Sequence, residues 1–101
     1  MYTSKMQSDE TDRLFEAILS LKNTEECYRF FDDLCTISEI RAMSQRIEVA
    51  EMLREGKTFT QISEETGVSS ATITRVNRCL SYGADGYRIV LDRLEKEDKK
   101  A

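Results

Sequence analysis

Residues 66–82 read TGVSSATITRVNRCLSY, and Asp and Glu are absent from the whole run. Ser69, Ser70, Ala71, Thr72, Thr74, Arg75, Asn77 and Arg78 would form the outward face of a helix there. Hydroxyls and guanidinium groups on one exposed face are donors for phosphate oxygens, and Ala or a Thr methyl can touch a thymine methyl. That chemistry is recognition of a polyanion, not bond making. Groups suited to catalysis are scarce. The chain has no His, and Cys27, Cys35 and Cys79 form no CxxC pair, so neither a zinc site nor an activated thiol is expected. Buried thiols in a reducing cytoplasm are the expectation instead. The pairs Glu25-Glu26, Asp32-Asp33 and Glu64-Glu65 are adjacent in sequence and so diverge on a helix. The segment GADG at 83–86 follows no strand and reads as a turn rather than a phosphate loop. No catalytic or metal-binding residue is assigned.

A helix that reads DNA must be held by a second helix crossing it tightly. Five demands around one glycine are met here. Gly67 supplies a residue tolerant of positive φ, Ile62 points inward five positions before it, and Ser63 is small where the helices touch. Val68 plugs the corner, and Ile73 and Val76 fall six and nine positions after the glycine. The spacing predicts a helix-turn-helix at about 58–80, with Gln61, early in its first helix, able to reach a phosphate or a base edge.

The surrounding elements follow from caps and apolar spacing. Residues 1–7 read as a frayed arm, and Ser8 caps a helix to about Lys22. Asn23 with Glu26 reads as a capping box opening a helix with Cys27, Phe30, Phe31 and Leu34 on one side. Thr36 with Glu39 opens the longest helix, to about Glu55, with an apolar stripe of Ile37, Ile40, Met43, Ile47, Ala50 and Leu53. Gly56 ends it. Thr58 with Gln61 is a third box, opening a short helix to about Glu65, and the next runs from about Ser70 to Leu80. After a turn at 82–87, with Asp85 as cap, a last amphipathic helix carries Tyr87, Val90, Leu91 and Leu94. Residues 96–101 read as a frayed, solvated tail. The whole is a single all-α domain of about six helices spanning residues 1–101.

Charge is distributed unevenly. Residues 1–40 hold 4 basic and 9 acidic side chains, whereas residues 41–101 hold 11 and 10. An overall charge of -4 is therefore compatible with DNA binding through one locally positive face. No apolar run approaches the roughly 18 residues of a membrane span, and the first ten residues lack the apolar core of a signal peptide. A cytoplasmic protein is expected.

The segment SSATITR resembles the start of the recognition helix in the Trp repressor superfamily. The run EIRAMSQRIEVAEMLREGKTFTQISEETGVSSATITRVNRCLSYGADGYRIVLDRL is closer still to its YerC/YecD branch of TrpR-like proteins, and the similarity spans about residues 10–95. The resemblance implies six helices per subunit, an intertwined homodimer and sequence-specific binding to a palindromic operator in double-stranded DNA. It also implies a place for a tryptophan corepressor, made by one Arg from the long helix, one from the recognition helix and a Thr. Arg75 stands at one position; Arg46 and Thr36 match the others, or Gln45 replaces Arg46 if the alignment gap is placed earlier. Val76 stands where the repressor has Gly, and Cys79 where it has Ser, so no cofactor is expected, tryptophan included. If Val76 points inward it fills the core, and Arg75 is left for phosphate.

The competing expectation is a helical dimeric protein-interaction module that does not read DNA, which the acidic N-terminal part favours.

Overall fold

The structure is a computed structural model that describes residues 1–100. Among them are six α-helices and no strand. The chain divides into two compact units, Met1–Ile37 and the part from Ser38 onward.

The first unit carries α1 (Asp9–Leu19) and α2 (Thr24–Leu34). Ser8 Oγ accepts the Thr11 N–H at 3.0 Å, and Asp9, Glu10 and Asp12 sit in the first turn, where the helix dipole favours them. α1 ends three residues earlier than its apolar spacing suggests. The Ser20 hydroxyl donates back to the Ala17 carbonyl at 2.6 Å, satisfying an end group that a further turn would have used. Asn23 caps α2, its Oδ1 accepting the Glu26 N–H at 2.9 Å. The expected reciprocal bond is displaced by one residue: Glu26 Oε1 accepts from the Lys22 N–H at 2.8 Å. The Phe30 and Phe31 rings meet edge to face at 5.3 Å. Neither helix buries a single residue, and Phe15, Leu19, Tyr28 and Leu34 are exposed.

The second unit contains α3 (Ile37–Arg54) from Ser38 on, α4 (Phe59–Thr66), α5 (Ser70–Tyr82) and α6 (Gly86–Lys100). α3 closes at Gly56, whose φ of +86° lets the Lys57 N–H reach back to the Met52 carbonyl and the Gly56 N–H to the Leu53 carbonyl, both at 3.1 Å. These two bonds are the Schellman closure that a left-handed residue makes possible. Thr58 and Gln61 form the full reciprocal box at the start of α4.

One core holds this unit: Val49, Ala50 and Met52 of α3, Ile62 of α4, Val68 of the turn, Ile73 and Val76 of α5, and Leu91 of α6. Leu53, Leu80 and Tyr87 pack on its edge. The stripe expected along α3 is revised. Val49 and Met52 lie inside, whereas Ile37 and Met43 stay exposed. Only the C-terminal half of α3 meets the helix-turn-helix core, so burial there is set by what packs on it, not by the helix's own periodicity.

α6 also differs from expectation. It continues to Lys100, so residues 96–100 are helical; Ala101 lies outside the described residues. Arg54 joins α3 to α6, with Nη2 at 2.8 Å from Asp92 Oδ1 and 3.3 Å from Glu95 Oε2. Lys57 Nζ meets Glu65 Oε2 at 3.1 Å. Such partly solvated pairs contribute little each, so apolar burial carries the unit. The three cysteines are half-buried and unpaired with one another, more accessible than core thiols.

Candidate nucleic-acid interface

The helix-turn-helix forms as its spacing requires. Gly67 sits at φ +73°, and its N–H caps α4 on the Ser63 carbonyl at 2.8 Å. Thr66 Oγ1 donates to the Ile62 carbonyl at 2.7 Å and accepts the Val68 N–H at 3.1 Å, so one hydroxyl stitches the turn. Ile62, Val68, Ile73 and Val76 are all buried. A Cβ at Gly67 would meet nothing within 4 Å, so only its backbone conformation resists substitution. Gly67→Ala is expected to cost about 1–2 kcal/mol and Gly67→Asn clearly less, because Asn tolerates the left-handed region. Urea denaturation of the two variants checks this: equal losses would contradict a conformational origin.

α5 begins at Ser69, whose Oγ accepts the Thr72 N–H at 3.2 Å and donates to Thr72 Oγ1 at 3.1 Å. These two hydroxyls are therefore engaged in capping, and they bring structure to the N-terminus that faces outward. Ser70, Ala71, Thr74, Arg75 and Arg78 are exposed. Ala71, Thr74, Arg75, Arg78, Cys79, Tyr82 and Gly83 line an open concavity of about 500 Å³ along the helix. Neither arginine joins an ion pair among the described residues. The result is a face with two available cations, small side chains toward its N-terminus and no acid on α5 itself. A helix N-terminus adds its own attraction for anions.

Two expected contact residues are placed differently. Asn77 lies on another side of α5, half-buried in a concavity shared with Leu53, Arg54, Leu80, Arg88 and Asp92. Helical geometry separates it from Arg75 and Arg78: side chains two residues apart, or one, do not share a face. Gln61 is exposed, but its Oε1 is taken by the Thr58 N–H. That bond folds the side chain back onto the cap; its NH₂ remains to donate to a phosphate, and its oxygen keeps a second lone pair.

Tyr82 is the residue the sequence reading passed over. It falls four positions after Arg78, which is the signal that could have placed it on this face.

Of the residues at the corepressor positions, the structure brings Arg75 and Cys79 to one concavity. Val76 is 1% exposed and points into the core, as the filled-core alternative has it, so it does not intrude on that concavity. Arg46 is half-buried on α3 and does not line it, and Thr36 belongs to the first unit.

An all-α unit presenting a helix-turn-helix with a cationic second helix defines a class of DNA-binding regulator. The sequence profile of the Trp repressor protein family matches residues 9–95, and the chain belongs to this family. It is 56% identical over 101 residues to the uncharacterized protein YerC of Bacillus subtilis (strain 168), covering 100% of this chain and 97% of that one. A TrpR-like protein from Eubacterium eligens superposes with a TM-score of 0.86 at 56% identity, covering 90% of this chain and 94% of the other. A Trp repressor candidate from Staphylococcus aureus gives 0.86 at 52% identity, covering 90% and 91%. Family members are regulators rather than enzymes. No helix among the described residues is long and apolar enough to cross a membrane.

Proposed function

We propose that the protein is a transcriptional regulator, acting as a repressor, that binds a palindromic operator as a homodimer with one α5 in each of two successive major grooves. The observation that carries this reading is the acid-free face of α5, where Arg75 and Arg78 stand exposed beside Ala71 and Thr74. Small residues toward the N-terminus allow close approach to base edges, and the arginines provide phosphate contacts.

Support for the homodimer comes from unsatisfied apolar surface. α1 and α2 bury nothing, and Phe15, Leu19, Leu34, Ile37 and Met43 are exposed in the isolated chain. A chain of 101 residues with eight buried apolar side chains among the described residues gains most by sharing such faces with a second copy. An isologous dimer then matches operator two-fold symmetry, with reading heads about 34 Å apart.

We further propose that binding needs no tryptophan. Cys79 offers the ligand amine a poorer partner than a hydroxyl, and Arg75 stands free of ion pairs for phosphate.

The test is selection from a random duplex library by the purified protein at physiological salt, with and without tryptophan. The expected result is the same palindrome from both selections, with half-sites about one turn apart. Enrichment only with tryptophan would overturn ligand independence. No enrichment in either would overturn DNA reading and leave a protein-interaction module.

A further inference from the structure

Tyr82 is 89% exposed at the last position of α5. Within residues 66–82 it is the only large apolar side chain left exposed. It shares the concavity with Thr74, Arg75 and Arg78, which are polar, and with Ala71, Cys79 and Gly83. The chain's other exposed apolar residues lie on other elements, such as Leu19, Ile37 and Leu94. Tyr82 shares its concavity with two cations and a hydroxyl.

The helix end that carries it is fixed. The Gly83 N–H bonds the Cys79 carbonyl at 2.9 Å, and Gly83 turns extended at φ -85°, ψ -156°. A Cβ at Gly83 would collide with the Cys79 carbonyl oxygen, so this helix end requires glycine.

We infer that Tyr82 is a phosphate-contacting residue of the DNA interface, its hydroxyl donating to the sugar–phosphate backbone beyond the groove that the start of α5 enters. The inference rests on the DNA-reading role of α5 proposed above. Ser70 and Tyr82 are twelve residues apart, about 18 Å along the helix axis. The major groove is about 12 Å wide, so when the N-terminal turn meets base edges the phenol reaches the backbone at its rim. A phenol is a neutral donor at working pH. It fixes register without displacing a counterion, whereas each arginine on a phosphate displaces one.

That difference makes the test specific. Binding of the parent chain, Tyr82→Phe and Arg78→Gln to a selected operator is titrated over a range of salt concentrations. Tyr82→Phe is expected to weaken binding roughly fivefold for each copy engaged, with the slope of log K against log salt unchanged. Arg78→Gln is expected to flatten that slope by about 0.9 for each phosphate released. Tyr82→Phe binding like the parent would overturn the inference. So would a Tyr82→Phe variant that sediments as a weaker dimer, because the phenol would then belong to an interface between copies. Failure of the parent itself to bind any selected fragment would instead overturn the DNA-reading role, and this inference with it.

Discussion

Replacing Arg75 and Arg78 together by Ala is expected to weaken operator binding by roughly 6 kcal/mol or more per proposed dimer, over ten-thousandfold, while leaving the fold intact. Each guanidinium on a phosphate is a charge-assisted hydrogen bond of about 1.5–3 kcal/mol, and the proposed dimer would make four of them. The salt dependence should flatten with it, by about 0.9 in slope for every phosphate no longer neutralised. Both side chains are exposed and outside any ion pair among the described residues, so their loss takes nothing from the core. Thermal unfolding of the double variant should therefore match the parent. Operator binding retained at parental affinity would show that α5 does not supply the phosphate contacts.

The second large effect concerns the core. Ile62→Asp is expected to prevent folding of the unit that carries the helix-turn-helix. Ile62 is fully buried, and the core it joins is wholly apolar among the described residues. A carboxylate placed there has no partner, and its desolvation costs several kcal/mol. Loss of the apolar contacts adds to this, and the sum exhausts the stability of a small domain, commonly about 5–15 kcal/mol. Circular dichroism should show reduced helix and no cooperative melt. Ile62→Val, by contrast, should cost about 1 kcal/mol and keep the fold. A folded Ile62→Asp with the parental melting temperature would place Ile62 outside the core.

The two predictions separate the faces of one short motif. Ile73 and Val76 hold α5 from within, while Arg75 and Arg78, interleaved with them in sequence, point away. Substitutions on the first set should appear in stability, and on the second in binding. Tyr82 extends the outer set by one turn.

Much of this was legible in the sequence because it depends on short-range chemistry. Ser8, Asn23 and Thr58 bond amides only a few residues away, and Gly56 and Gly67 are needed where the backbone turns left-handed. The helix-turn-helix core follows from residues within fifteen positions of one another, so Ile62, Val68, Ile73 and Val76 could be named from spacing around Gly67. Arg75 and Arg78 followed as the outward side of the same helix.

Tertiary structure decided what depends on distant partners. Val49 and Met52 are buried because α3 meets the helix-turn-helix at its C-terminal half, and no periodicity within α3 reveals where that contact falls. Asn77 turns toward Arg54 and Asp92, residues of α3 and α6, and so leaves the face that sequence assigned to it. Gln61 could be read both as a cap and as a DNA contact; geometry shows its oxygen holding the Thr58 amide. The sequence by itself determined a six-helix, Trp-repressor-like chain with its helix-turn-helix, since caps, turns and local apolar spacing act over a few residues. Which side chains on those helices remain exposed was decided by packing between elements, because burial is a property of what lies opposite.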